Sequence, residues 1–247
     1  MALLNPPVLG VLMLKTGFPR PPGDVGNPAT WPCRCFYKVV EPASVAAVVT
    51  DQTLPDSLVD AFAEAGMALV AEGATLLTTS CGFLVTAQED LQARLPVPLV
   101  TSSLLQIPTV AASLPAGRRV GVITFDSRRL SPAHLAAAGA PPDTPVAGLE
   151  DGRELHRVIA QDLPDLDSAL AEADVLAAGR ALARDHPDLG ALVLECTNLP
   201  PYRAALSAAL GLPIYDLPGL IGEKHLAAAY QRRGENPPPP GDWAVQK

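Results

Sequence analysis

Short apolar runs of strand length alternate along the chain with longer, alanine-rich stretches of helical length. Runs at 8–14, 36–40, 75–79, 98–101, 119–125, 145–149, 191–194 and 213–215 read as strands, mostly apolar throughout and so buried on both faces. Helices are predicted at 56–72, 82–94, 103–113, 132–138, 168–185, 199–210 and 221–233. Within 56–72 the residues Leu58, Val59, Phe62, Ala65, Leu69 and Val70 recur at three and four, which puts one face of that helix against a sheet. Strands that alternate with helices predict an α/β fold of parallel sheets and helical crossovers. Four strands precede Pro115 and four follow it, so two lobes are expected: a second lobe over 115–210, and a first lobe over 1–114 completed by 211–247.

The pattern breaks directly after the first strand. Residues 17–32, GFPRPPGDVGNPATWP, are rich in turn formers. A long loop at the carboxyl end of a strand lies where α/β sheets place ligands, and Asp24 and Asn27 are polar groups that could approach one there; a plain surface excursion is the other reading. The tail NPPPPGDWAVQK cannot continue a helix through four prolines and is expected to run extended.

Charge and cysteine content narrow the function. A net charge of −8 with no local Lys/Arg cluster offers nothing to neutralise phosphates, so nucleic acid is not an expected partner. The apolar N-terminus has no basic leader region, is broken by Pro6 and Pro7, and falls short of the ~18 residues of a membrane span; it reads as a first strand of a cytoplasmic protein with no membrane association. Four cysteines are too few for a disulfide scaffold and are expected as thiols. Cys33 and Cys35 form a C-x-C pair without the spacing or the second ligand pair of a zinc site, and read as ordinary residues beside a strand.

The chain also repeats itself. When Gly10-Val11-Leu12 is placed over Gly121-Val122-Ile123, each begins a buried strand, and the strands run out at Thr16 and Ser127. Further down the two halves, Cys81 in GATLLTTSCGFL meets Cys196 in GALVLECTNL, and at equal spacing after each cysteine comes a proline-led strand, Pro98-Leu99-Val100 or Pro213-Ile214-Tyr215. Each cysteine thus sits at the turn from strand to helix, where unpaired amides and the helix dipole favour an anion, so a lowered thiol pKa is expected at both. One cysteine after a strand is commonly a small buried apolar residue. Two at equivalent points of a pseudo-twofold repeat, facing one cleft, point instead to chemistry.

TTSCGF and LECTNLPPY resemble the two cysteine motifs of the aspartate/glutamate/hydantoin racemase superfamily, a resemblance that the repeat extends over most of the chain. It implies two Rossmann-like lobes with parallel sheets related by a pseudo-twofold axis, an active site in the cleft between them, and no metal, pyridoxal phosphate or nucleotide. Racemases and maleate cis–trans isomerases of the family use both cysteines, whereas arylmalonate decarboxylases keep one. Racemisation needs a base on one face of the α-carbon and an acid on the other, and the resemblance gives these roles to Cys81 and Cys196. It gives Thr79, Ser80, Gly82 and Phe83 on one side, and Thr197 and Asn198 on the other, to the substrate carboxylate; Thr197 and Asn198 could equally be helix caps. Lys15 could meet that carboxylate as a point charge, or simply be solvated at a strand end.

Two departures bear on substrate. Glutamate racemases have histidine where this chain has Asn198, and glycine where it has Glu195, which counts against glutamate itself. Glu195 could act as a local base or turn outward to a salt bridge. None of His134, His156, His186 and His225 lies in a motif. The expected activity is a cofactor-independent amino-acid racemase or epimerase acting on a small carboxylate, with a homodimer plausible from the family. A maleate-type isomerase and a non-catalytic carboxylate-binding protein are the alternatives.

Overall fold

A computed structural model describes residues 7–222. The strands are β1 (Val8–Leu14), β2 (Arg34–Val40), β3 (Leu76–Thr79), β4 (Leu99–Val100), β5 (Arg119–Ile123), β6 (Val146–Ala147), β7 (Leu189–Leu194) and β8 (Ile214–Tyr215). The α-helices are α1 (Val45–Val48), α2 (Asp56–Ala71), α3 (Gln88–Arg94), α4 (Ile107–Ser113), α5 (Pro132–Ala137), α6 (Leu155–Gln161), α7 (Ser168–Asp185), α8 (Arg203–Leu210) and α9 (Leu217–Leu220). Among the described residues no helix is long and apolar enough to cross a membrane.

Two four-stranded sheets form, ordered β2-β1-β3-β4 and β6-β5-β7-β8, with every pairing parallel. The topology is the same twice over, and the registers agree: Gly10 of β1 lies opposite Leu77 of β3, and Gly121 of β5 opposite Leu192 of β7. In each sheet the chain leaves its first strand to one side, then returns to pair on the other. That reversal opens a crevice at the carboxyl ends of β1 and β3, and of β5 and β7, where ligands bind in sheets of this kind. Both cysteine motifs follow the returning strand.

The sequence overstated the length of regular structure. The outer strands β4, β6 and β8 pair over two residues each, and three of the predicted helices begin as tight 3-10 turns, Gly82–Ala87, Ser103–Gln106 and Pro200–Tyr202, before α3, α4 and α8. Helix α6 was not predicted, because its apolar face is only two turns long. The predicted helix at 221–233 lies, apart from its first two residues, outside the described residues. The expected return to the first lobe at 211 is corrected: β8 completes the second sheet by pairing Leu192 with Ile214 and Val193 with Tyr215. The crossing comes at Asp216, whose carboxylate caps α9 by accepting from the Gly219 amide at 2.7 Å. Beyond it Leu217, Leu220 and Ile221 pack against Leu9, Val11 and Met13 of β1.

The two repeat glycines are where helices press on the central strands. A Cβ on Gly10 would lie 2.5 Å from Leu77 Cδ2 and 3.2 Å from Leu69 Cβ of α2; one on Gly121 would lie 2.9 Å from Leu189 Cδ2 and 3.2 Å from Leu182 Cδ2 of α7. Gly10→Val should therefore lower stability by about 2–3 kcal/mol through overpacking, seen as a lower urea midpoint at unchanged slope. An unchanged midpoint would show that α2 can move away at no cost.

Candidate active site

The residue after each motif strand is tied back to the first strand of its own sheet. The Ser80 amide donates to the Leu12 carbonyl at 2.9 Å, and the Glu195 amide to the Ile123 carbonyl at 2.8 Å. Past that anchor the chain turns. Cys81 is extended (φ −153°, ψ 118°) and heads the turn Gly82–Ala87, while Cys196 begins the turn leading to Pro200. Both thiols are buried, and both line one small pocket between the lobes. The first lobe contributes Leu14, Ser80, Gly82 and Phe83, the second Phe125, Glu195, Thr197 and Asn198, and the loop after β1 adds Phe18 and Arg20.

The expected depression of the thiol pKa values is overturned. Burial, and then the Glu195 charge, push both Cys81 and Cys196 up. The Phe83 amide beside Cys81 and the Asn198 amide beside Cys196 do favour thiolate, as a helix start should, but a single amide at the head of a tight turn is outweighed by desolvation. Glu195 is itself raised to about 7 by burial, against support from the Thr124 hydroxyl and the Phe125 amide. It does not turn outward: Oε2 accepts from Thr124 at 2.6 Å, and Oε1 accepts no hydrogen bond from any described residue. Gly82 is required here, since a Cβ would lie 2.4 Å from both the Glu195 carbonyl oxygen and Oε1.

The loop is not a loose excursion. Its Gly17 and Phe18 amides donate to Asp162 Oδ1 of the second lobe at 2.6 and 3.0 Å, and its Val25 amide donates to the Thr197 carbonyl at 3.3 Å. Buried Asp24 accepts from Arg20 at 2.9 Å and from Asn198 Nδ2 at 2.6 Å, and the Cys196 thiol donates to Asn198 Oδ1 at 3.4 Å. Asn198 therefore latches the loop to the second cysteine. Arg20 was missed by the sequence reading, although it is the lone cation in a loop suspected of meeting ligand.

Several expected ligand contacts have other duties. The Thr197 hydroxyl donates to the Ser80 carbonyl across the lobe boundary at 2.6 Å, and the Ser80 hydroxyl accepts from the Leu14 amide at 2.9 Å. Thr79, which does not line the pocket, donates to the Thr101 carbonyl at 2.8 Å. Phe83 lines the pocket with its ring edge-on to His134. Lys15 is corrected: it is exposed and paired with Glu41 at 2.8 Å, away from the pocket. Asn27 is corrected too, since it caps the turn Pro28–Thr30 and donates to the Arg20 carbonyl at 2.6 Å, holding the loop rather than a ligand. Cys33 and Cys35 sit half-buried at the start of edge strand β2.

A family model described as Asp/Glu/Hydantoin racemase matches residues 38–220. Among curated proteins, dimethylsulfoniopropionate lyase 6 of Emiliania huxleyi is 31% identical over 85% of this chain, and the dimethylsulfoniopropionate lyase of Durusdinium sp. clade D is 27% identical over 84%. The chain spans 57% of the length of the first and 70% of the second. Among solved structures, a variant of arylmalonate decarboxylase in its sulfate-associated form superposes with a TM-score of 0.60 at 16% identity, covering 92% of this chain and 94% of that one.

Alkylation of Cys81 and Cys196 by iodoacetamide, followed by peptide mass mapping, should keep accelerating above pH 9, and Glu195→Gln should shift that rise to lower pH. A rate that levels off near pH 7 would show that the amides prevail over burial.

Proposed function

We propose that this chain, which belongs to the Asp/Glu/hydantoin racemase family, removes the proton next to the carboxylate of a small acid, with a thiolate of Cys81 or Cys196 as the base. One observation carries this reading: the two cysteines occupy equivalent positions of a repeated fold and line one pocket from opposite lobes. Their raised pKa values make the thiolate scarce but strengthen it as a base, which suits a weakly acidic carbon. Arg20, which spends two of its N–H groups on Asp24 and Thr16, has others to offer a substrate carboxylate. The loop latched over the site limits water that would quench a carbanion.

The fate of the carbanion divides the family's reactions. If the β-carbon bears a leaving group, the electron pair left on the α-carbon becomes the new double bond and the group departs. For dimethylsulfoniopropionate this yields acrylate, dimethyl sulfide and a proton, the latter taken by the thiolate. We favour this elimination because relatives aligned over 84–85% of the chain are named for that substrate. Without a leaving group, the thiol on the opposite face returns a proton and the centre inverts. This racemase reading is favoured by the retention of both cysteines.

The purified protein should convert dimethylsulfoniopropionate to acrylate, followed by proton NMR, and with an acid that carries no leaving group should incorporate deuterium from solvent at the α-carbon. Elimination needs one base, so Cys→Ser at one of the two sites should cut the rate by about a hundredfold or more while the other variant suffers less. Racemisation would make the two losses equal. Full turnover in both variants would remove the thiols from the mechanism.

A further inference from the structure

The pseudo-twofold repeat exposes one residue that its structural position does not explain. Ser80 and Glu195 are equivalents: each precedes its cysteine, and each donates its amide to the matching carbonyl of the first strand, Leu12 or Ile123. Each side chain also supports the amide two residues further along that strand, Leu14 for Ser80 and Phe125 for Glu195. In the first lobe a serine hydroxyl suffices for this. In the second lobe the same place holds a carboxylate, with one oxygen on Thr124 and the other, Oε1, accepting from no described residue although it is buried at the pocket wall. A buried carboxylate oxygen without a partner is costly.

The other charges nearby do not answer it. Arg20 is engaged by Asp24, and Asp24 also holds Asn198. Cys81 and Cys196 can add only negative charge. Behind Phe125, His156 stacks on that ring at 4.5 Å and faces Asp126 at 3.5 Å. Glu195 is thus the acid of the pocket left without a counter-charge, in a wall that also holds the rings of Phe83 and Phe125, while the Phe18 ring carries the Arg20 guanidinium at 4.5 Å.

We infer that Glu195 is a specificity-determining residue that receives a cationic group of the substrate, so that the pocket selects small zwitterionic acids bearing an onium group over neutral acids of the same shape. This rests on the α-proton reading above and narrows its substrate class. An onium ion against Oε1 supplies the missing partner, while the substrate carboxylate goes to the Arg20 side. Because burial pushes the Glu195 carboxyl up to about 7, the carboxylate form predominates above that pH and selection is lost as the pH falls below it.

Two isosteres test this directly by calorimetry on the full-length protein: 3-(trimethylammonio)propanoate and 4,4-dimethylpentanoate, which differ in one charge. At pH 8.5 the zwitterion should bind at least about tenfold more tightly, and the preference should fade towards unity at pH 5.5. In Glu195→Gln the preference should be absent at both pH values, which separates Glu195 from the thiols and His156 as its source. Equal affinity at pH 8.5 in the wild type, no binding of the zwitterion, or a preference that survives in Glu195→Gln overturns the inference. The α-proton reading is judged separately, by deuterium exchange and the cysteine variants. A protein that exchanges the α-proton yet ignores the charge keeps its mechanism and loses this role for Glu195.

Discussion

Two backbone hydrogen bonds, Ser80 to Leu12 and Glu195 to Ile123, decide where the two buried thiols sit. Each holds the returning strand against the first strand of its sheet up to the residue before the cysteine, so the turn that follows has no freedom in where it starts. The Thr197 hydroxyl on the Ser80 carbonyl then fixes one turn relative to the other. With three short contacts the two thiols are placed by main chain rather than by long side chains. A pair of thiols held in this way loses little geometry to side-chain motion.

Placement and activation are separate problems, and the fold answers them differently. An amide at the head of each turn points at sulfur, yet burial raises both thiols, and the charge of Glu195 raises them further. On the reading proposed above, Arg20 and Glu195 take opposite ends of a ligand that brings its own charges.

The parallel sheets, the repeat and the cysteine pair were legible in the sequence because buried strands and the glycines beneath α2 and α7 leave a local pattern. The latch was not. Asn198 reads as a helix cap or a ligand from its neighbours in the chain, and only the tertiary fold shows it joining Asp24 to Cys196. Lys15 and Asn27 failed for a related reason: a charged or polar residue near a ligand-side loop can point either way, and here Glu41 and the Arg20 carbonyl claim them. Thiol acidity could not be read because it depends on desolvation and on how Glu195 turns, neither of which has a sequence period.

The contact between Gly82 and Glu195 has an evolutionary consequence. These positions come from different lobes, far apart in the chain, yet the constraint runs one way. A Cβ at 82 would meet the main-chain carbonyl of 195 as closely as its carboxylate, so no replacement at 195 opens room there. Position 82 is held to glycine by backbone, whereas 195 can change its side chain without disturbing it. Descendants of this protein should therefore keep the glycine whatever stands at 195, and a change in the charge of the pocket would be recorded at 195 alone.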